Sequence, residues 1–435
     1  MKSLYKNFSL IFVVLMLLLS GSTTVIADDK IDDSYKLKEV VILSRHNIRA
    51  PLSTAGSALD TATPHTWYEW SSNASELSLR GGILETTMGQ YFRKWLEDEE
   101  LFPENFRPEN DEVRFYANAK QRTIATAQYF SSGLLPVANI DIYTNQEYDK
   151  MDPVFTPQLT FVSDKYVEDA SKQMKEIIPD LTKQFALLTD VVDLKESEDY
   201  KSGKISDLDV NDIEFILQTN EEPGMKGSLK TANTLADALI LQYYEEQDPK
   251  AAAFGHDITY EDWQNISYIK DAYGDILFTA PLVCYNVSHP LLQEIYSELN
   301  NDKRLFSFLC GHDSNIGSVL ACLNVNDYKL PQAIESKTPI GSKLVFEKWQ
   351  KNNEEYIRMR IVYNSVDQLR NIGLLSLDDG PVSYVFEIKD LQANDDGLYK
   401  FDDFMNYLKD AIYKYDEIKN IYCPNETKVP STGVE

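Results

Sequence analysis

The feature that most constrains the fold is an apolar run that leads directly into a basic motif. Residues 40–43 read Val-Val-Ile-Leu, and residues 45–51 read Arg-His-Asn-Ile-Arg-Ala-Pro. The run predicts a short strand that is buried on both faces. Ligands of open α/β sheets gather at the carboxyl ends of strands. The motif, in which Arg45 and Arg49 flank His46, therefore predicts an anion site that contains a histidine; a basic surface turn is the alternative.

Two further predicted strands end in residues of the same kind. Residues 113–116 read as a strand, and Arg122 lies in the first turn of the next helix, for which Asn118 is the predicted N-cap. A third apolar run ends in the Gly-His-Asp of residues 311–313. A phosphoryl group has three non-bridging oxygens, and guanidinium pairs bidentately with phosphate. Three arginines and two histidines at one sheet edge therefore suit a phosphoryl group.

Composition and the amino-terminal segment define the class of protein. With 435 residues, 43% of them hydrophobic, the chain can bury a substantial core. The formal net charge of −27 argues against nucleic acid as a partner. Residues 1–27 have the basic start, apolar centre and small final residues of a signal peptide. We therefore expect an exported protein, periplasmic or secreted, without a membrane segment after cleavage; a retained anchor helix is the alternative.

The hydrophobic periodicity changes twice along the chain. Strand and helix patterns alternate over residues 28–150 and return over 281–420, whereas amphipathic helices dominate 151–280. We predict an α/β catalytic domain formed by the first two segments, and a helical insertion, the cap domain, formed by the third. Residues 421–435 read as a disordered tail.

The cysteines and the remaining histidines do not indicate a metal site. Four cysteines allow three disulfide pairings in an exported protein: Cys284, Cys310, Cys322 and Cys423. The apolar surroundings of Cys310 and Cys322 instead favour small buried side chains. The sequence has no Walker A loop and no Asp-rich metal cluster, so we expect neither metal nor cofactor. Three histidines lie in no motif and are expected to be structural or surface residues: His65, His256 and His289.

The motifs resemble those of the histidine phosphatase superfamily, in its branch of acid phosphatases and phytases. Most members of the branch have Gly directly after the histidine. This chain has Asn47 there, and in this it resembles the glucose-1-phosphatase group. Further matching motifs lie between about residues 35 and 415: Gln-Arg-Thr at 121–123, Met-Asp-Pro at 151–153, Glu-Pro-Gly at 222–224, Leu-Gln-Tyr-Tyr-Glu at 241–245, Gly-His-Asp-Ser-Asn-Ile at 311–316 and Thr-Pro-Ile-Gly at 338–341. The resemblance implies a phosphoglycerate-mutase-like α/β fold, a mixed sheet sandwiched by helices with an inserted helical cap.

The same resemblance implies a role for each motif residue. His46 is expected to attack phosphorus and form a phosphohistidine, and Asp313 to protonate the leaving alkoxide. Glu222 is expected in the substrate pocket. The phosphoryl oxygens are expected to be held by four residues: Arg45, Arg49, Arg122 and His312. Neighbouring guanidiniums lower the pKa of a histidine, so His46 would remain nucleophilic in acid.

The expected function is hydrolysis of a phosphomonoester, with a small phosphorylated molecule as partner and glucose 1-phosphate as the favoured substrate. A phytase acting on inositol hexakisphosphate is the alternative within this class. A mutase-like phosphotransferase is a second alternative, against which the predicted export argues because its metabolites are cytoplasmic. A non-catalytic phosphate-binding protein would usually lack His46 or Asp313, and both are present. The disulfide cysteines of the family are not reproduced, and the oligomeric state does not follow from the sequence.

Overall fold

A mixed β-sheet forms the centre of the fold. The computed structural model describes residues 31–52 and 58–424, so the predicted signal peptide lies outside the described residues. The described residues contain ten strands: β1 (Lys36–Arg45), β2 (Val113–Ala117), β3 (Ile142–Tyr143), β4 (Glu214–Ile216), β5 (Gly224–Lys226), β6 (Phe306–Gly311), β7 (Lys343–Lys351), β8 (Glu354–Tyr363), β9 (Val382–Val385) and β10 (Tyr399–Lys400). Eight of them form the central sheet in the order β10-β8-β7-β1-β6-β2-β3, with β9 paired to β8. Strands β4 and β5 form a separate antiparallel pair.

Helices connect and surround these strands. Those in the described residues are α1 (Ala58–Thr61), α2 (Leu79–Asp98), α3 (Gln121–Leu134), α4 (Asp164–Glu176), α5 (Thr182–Val191), α6 (Glu198–Lys201), α7 (Ser228–Glu245), α8 (Pro249–Ala252), α9 (Tyr260–Phe278), α10 (Pro281–Leu299), α11 (Asp313–Cys322), α12 (Val366–Asn371) and α13 (Phe401–Tyr422). None of these helices combines the length and the hydropathy needed to cross a bilayer. The predicted α/β fold with a mixed sheet and flanking helices is confirmed.

The register of the parallel strands brings three strand ends together. Strands β1, β6 and β2 run parallel, with Arg45 opposite Gly311 and Ala117 opposite Cys310. The apolar residues of β1 and β6 are buried, which explains why these strands read as continuous apolar runs rather than as alternating patterns. The residues that follow each of the three strands consequently meet at one edge of the sheet.

Two hydrophobic cores hold the described chain together. The first is built mainly from α4, α5, α7 and α9, with Trp263 among its buried side chains, and it also takes in Ile48 and Leu84. The second joins the sheet to α10, α11 and α13 and includes Phe346 and Phe404. The first core corresponds largely to the segment 151–280. The division of the chain into a catalytic domain and a cap domain stays a prediction.

The predicted burial of Cys310 and Cys322 agrees with the structure, whereas the final helix extends further than predicted. All four cysteines are buried and free, so none of the three possible pairings forms in the described structure. Cys310 and Cys322 are small buried side chains, as predicted. Helix α13 extends to Tyr422, and Cys423 is buried against the first core. Order therefore continues past residue 421, the predicted start of the tail; residues 425–435 lie outside the described part.

Candidate active site

The loop after β1 fixes His46 with one ring nitrogen free. The His46 backbone N–H donates to the carbonyl of Gly311 at 3.1 Å, and its own carbonyl accepts from the N–H of Gly341 at 3.1 Å. Its ring Nδ1 lies 2.9 Å from the carbonyl oxygen of Asn47. Because a carbonyl oxygen only accepts, Nδ1 carries the hydrogen and Nε2 keeps its lone pair. The neutral ring therefore presents Nε2 as a nucleophilic atom in a cavity of about 930 Å³.

The Thr-Pro-Ile-Gly motif, in the loop before β7, supports the loop that carries His46. Gly341 has φ +69°, and a Cβ there would lie 2.4 Å from Nδ2 of Asn47, so both the backbone conformation and the space require glycine. The Thr338 carbonyl accepts from the Arg45 guanidinium. The Ser342 carbonyl accepts from the backbone N–H of Arg45 at 2.9 Å. The motif thus holds both the backbone and the side chain of the basic loop.

A fully buried ion pair holds the side chain of Asn47. Asn47 Nδ2 donates to Glu85 Oε1 at 2.6 Å, and Lys343 Nζ donates to the same oxygen at 2.8 Å. Both charged side chains have no exposed surface. Burial raises the pKa of Glu85, and Lys343 and Asn47 oppose that shift. The residue next to His46 is therefore anchored to α2 and β7 together.

Arg45 lies behind the cavity wall. Its Nη1 donates to Glu335 Oε1 at 2.7 Å, and its Nη2 pairs with Asp313 Oδ2 at 3.2 Å. The side chain is buried and is not one of the residues that line the cavity. The remaining six residues that the sequence predicts for the site do line it: His46, Arg49, Arg122, Glu222, His312 and Asp313. Arg45 thus contacts the site through Asp313.

A second set of charges, not predicted from the sequence, surrounds Arg49. Its Nη2 pairs with Asp237 Oδ2 at 3.1 Å. Lys270 bridges two carboxylates, at 2.9 Å from Asp237 Oδ1 and 3.1 Å from Glu335 Oε1. Burial acts to raise the pKa of Asp237, but Arg49 and Lys270 hold it well below its usual range. These carboxylates stay ionised and keep the cations in place.

Arg122 is a cation of the cavity wall that lacks a carboxylate partner in the described structure. Among the described residues it has no carboxylate within ion-pair distance, and its Nε has no hydrogen-bond partner. Burial, together with the charge of Arg49, lowers its pKa to about 10. The Nε groups of Arg45 and Arg49 are likewise buried and unpartnered in the described structure. Folded proteins rarely bury donors without acceptors, so Arg49 and Arg122, the two of these arginines that line the cavity, mark a site for an anion.

His312 is oriented by Asn118. The Asp152 backbone N–H donates to Asn118 Oδ1 at 2.9 Å, which directs Nδ2 of the amide to His312 Nε2 at 2.8 Å. Nε2 of His312 therefore accepts, and its hydrogen lies on Nδ1. Burial, followed by the charge of Arg122, holds the pKa of His312 well below its usual value. The ring is a neutral donor.

The predicted N-cap role of Asn118 is wrong. Helix α3 begins at Gln121, and its N-cap is Lys120. The strand end and the loop at residues 151–153 use both ends of the Asn118 amide, so no group remains to cap the helix. The backbone of the Met-Asp-Pro motif thus orients the Asn118 amide toward His312.

Asp313 and Glu222 complete the described wall. Asp313 is the first residue of α11, and 48% of its side chain is exposed. Burial acts to raise the pKa of Asp313, but Arg45, Lys270 and His312 lower it overall. Glu222 precedes β5; burial raises its pKa, Arg122 opposes this, and Asp313 adds to it. The pKa of Glu222 therefore depends on the charges of both Arg122 and Asp313.

Comparison with known proteins identifies the family. A family model described as histidine phosphatase superfamily (branch 2) matches residues 36–364. The chain belongs to this family. The glucose-1-phosphatase of Providencia rettgeri is 36% identical over 385 residues, which cover 86% of this chain and 92% of that protein. The glucose-1-phosphatase of Salmonella typhimurium strain LT2 is 37% identical over 86% of this chain and 93% of its own length.

A solved structure shares the architecture of this phosphatase. The apo form of the Hafnia alvei phytase has a TM-score of 0.81 to this chain at 25% identity. The match covers 88% of this chain and 98% of that one. The sequence-based identification of a phosphatase of this family is thus confirmed, and both glucose-1-phosphatases and phytases are among its relatives.

Three charged residues of the site were not predicted from the sequence of this phosphatase. Asp237 is a single acid within an apolar stretch of α7, and this pattern could have marked it as a buried, paired group. Lys270 and Glu335 have no comparable local signal. They meet Asp237 and Arg45 only because α7, α9 and the loop before β7 pack together.

We expect the His46 ring of the free phosphatase to stay neutral at pH values well below 6.5. Burial, Arg122 and Arg49 lower its pKa, and a lowered pKa means that the ring gains its proton only in stronger acid. NMR titration of the five histidine rings measures this directly, with His46→Ala assigning the signal. Arg122→Met should move the titration to higher pH. If the signal assigned to His46 titrates near pH 6.5 in the wild type, the proposed environment of this ring is wrong.

Proposed function

We propose that this phosphatase is an exported acid phosphomonoesterase that hydrolyses glucose 1-phosphate through a phosphohistidine at His46. One observation carries the proposal: a neutral histidine with a free Nε2 lies among three guanidiniums with unpartnered donors. This arrangement offers a nucleophile to phosphorus and positive charge to its oxygens, as phosphoryl transfer requires.

In the first step, Nε2 of His46 attacks phosphorus, and the bond from phosphorus to the sugar oxygen breaks. Arg49, Arg122 and the Nδ1–H of His312 hold the non-bridging oxygens, while Arg45 supports them from behind the wall. Asp313 gives a proton to the departing sugar oxygen. In the second step, Asp313 takes a proton from water, which attacks phosphorus and releases phosphate and neutral His46.

The proton on Asp313 arrives with the substrate. Arg45, Lys270 and His312 keep the pKa of this carboxyl low in the free enzyme. A bound phosphoryl group places negative charge beside the carboxylate, which raises its pKa. Acid solution also favours the phosphate monoanion, since the second pKa of a phosphate ester is about 6. Acidic conditions thus provide both the substrate form and the proton that the first step needs.

The charges of the cavity wall favour a monophosphate. When all of them are ionised, the seven Asp and Glu residues of the wall nearly balance the charge of its six Lys and Arg residues. A substrate with one phosphoryl group requires only the local excess of positive charge around Arg122. Inositol hexakisphosphate brings five further groups, and the carboxylate of Glu222 repels them. The similarity to the Hafnia alvei phytase and the size of the cavity support phytase activity as the alternative.

Wild-type enzyme should prefer glucose 1-phosphate in kcat/KM and should act slowly on inositol hexakisphosphate. Glu222→Gln keeps the size of the side chain and removes its charge, so it should narrow this preference. Phosphate release from both substrates, measured on both proteins, gives the ratio. Glu221→Gln is a matched control because it removes a neighbouring exposed carboxylate that is not part of the wall.

The two arms of this experiment have different consequences. Efficient, stepwise removal of phosphate from the hexakisphosphate by the wild type would replace the glucose-1-phosphatase hypothesis with the phytase alternative. An unchanged ratio in Glu222→Gln would show that this carboxylate does not set selectivity. Activity on neither ester would refute the proposed function altogether.

A further inference from the structure

Two histidines outside the active site meet at one carboxylate. His65 Nε2 lies 2.8 Å from Asp193 Oδ2, and His256 Nε2 lies 3.5 Å from the same atom. All three ligand atoms lie within 4.8 Å of one another, and the three side chains are partly exposed. We propose that His65, Asp193 and His256 bind a divalent transition-metal ion, with Zn²⁺ as the preferred ion. This site is independent of the phosphatase chemistry.

The spacing suits zinc. A tetrahedral zinc ion with bonds of about 2.0–2.1 Å places neighbouring ligand atoms about 3.3 Å apart. The two imidazole contacts to Asp193, at 2.8 and 3.5 Å, lie on either side of that value. Zn²⁺ and the neighbouring first-row transition-metal ions bind sets of imidazole and carboxylate ligands such as this one. Ca²⁺ and Mg²⁺ instead prefer oxygen ligands. Three protein ligands leave the fourth position to water.

Aromatic packing holds the ligands in place. The His65 ring stacks on Phe254 with centroids 4.6 Å apart and planes 12° apart. Phe254 also packs edge-on against Trp67 at 5.0 Å. The His256 ring in turn lies edge-on to the His65 ring, with centroids 6.5 Å apart. Ligands that are already held lose less entropy on binding the ion than flexible ones would.

The ion would connect three segments that are far apart in the sequence. His65 lies between α1 and α2, Asp193 follows α5, and His256 lies between α8 and α9. None of the three residues lines the active-site cavity in the described structure. A bound ion should therefore stabilise the fold and leave the chemical step unchanged, since a ligand that binds only the folded state raises its stability.

Calorimetric titration of metal-free, full-length enzyme with Zn²⁺, and with Co²⁺ as an absorbing probe, tests the site. We expect one equivalent bound and a Tm that rises with zinc but not with Ca²⁺. His65→Gln and His256→Gln should each weaken binding by about 100-fold or more, because even the loss of an outer-shell partner costs roughly 10–100-fold. Asp193→Asn should weaken binding too, and it suits the left-handed backbone of this residue, at φ +47°.

Two controls separate this site from the active site. His46→Ala removes an active-site histidine and should keep the zinc equivalent, and His289→Gln removes a histidine that belongs to neither group. Wild-type kcat on p-nitrophenyl phosphate in the three ligand variants would show that each has folded. Zinc binding that survives His65→Gln and His256→Gln but is lost in His46→Ala would overturn the proposal. If the wild type binds no equivalent of zinc and zinc does not raise its Tm, the three residues form only hydrogen bonds and the proposal is refuted.

Discussion

Replacement of His46 by Ala should lower turnover by more than about 10⁴-fold, the scale seen when a nucleophile is removed from a catalytic group. His46 offers a neutral ring with a free Nε2, and the other histidine of the cavity cannot take its place. Nε2 of His312 accepts a hydrogen bond from Asn118 at 2.8 Å, and its Nδ1 carries a hydrogen. The variant would thus keep the anion site and lose the nucleophile.

A trapping experiment distinguishes this loss from misfolding. Wild-type enzyme, mixed briefly with labelled phosphomonoester and quenched in alkaline denaturant, should retain label on the protein, because phosphohistidine survives in base. His46→Ala should retain none, while its circular dichroism and Tm stay near those of the wild type. His289→Gln is the matched control, since its ring stacks on Tyr415 outside the cavity. Label on His46→Ala, or turnover near the wild-type rate, would refute the proposed mechanism.

Asp313→Asn should slow hydrolysis of glucose 1-phosphate by about 10²–10⁴-fold, the usual contribution of general acid–base catalysis. p-Nitrophenyl phosphate should lose far less, because p-nitrophenolate leaves without a proton. Asn can still accept from the Ser314 N–H, which donates to Asp313 Oδ1 at 3.0 Å. Arg45 keeps Glu335 as its second partner at 2.7 Å. The substitution therefore removes the proton donor with little change in shape.

The dependence on the leaving group is the decisive readout for Asp313. A series of aryl and sugar phosphates should give a steeper fall in rate with leaving-group pKa for Asp313→Asn than for the wild type. Ser314→Ala, a neighbouring change in the cavity wall, should leave that slope unaltered. An equal loss on all esters in Asp313→Asn would assign this residue to substrate binding or positioning instead.

The strand ends could be predicted because their signals are local. The apolar runs at 40–43 and 305–310 correspond to buried parts of β1 and β6, since strands covered on both faces need apolar side chains throughout. Arg49, Arg122 and His312 follow strand ends, so their placement at one edge of the sheet follows from the parallel arrangement alone.

The partners of those residues could not be predicted in this way. Asp237 and Lys270 lie on different helices, and the burial of Asp237 that its apolar surroundings indicate does not identify Lys270 as its partner. The placement of Arg45 behind the wall, rather than in it, depends on Glu335, which is 290 residues away in the chain. The proposed zinc ligands His65 and Asp193 are 128 residues apart.

Sequence and tertiary structure thus determine different parts of this phosphatase. The sequence by itself determines the strands, the basic loop and the histidines at the strand ends, because periodicity and motif act over a few residues. Only the tertiary structure decides which carboxylate meets which cation. Those pairings form when distant segments pack, and packing depends on complementary shape and buried charge rather than on local order in the chain.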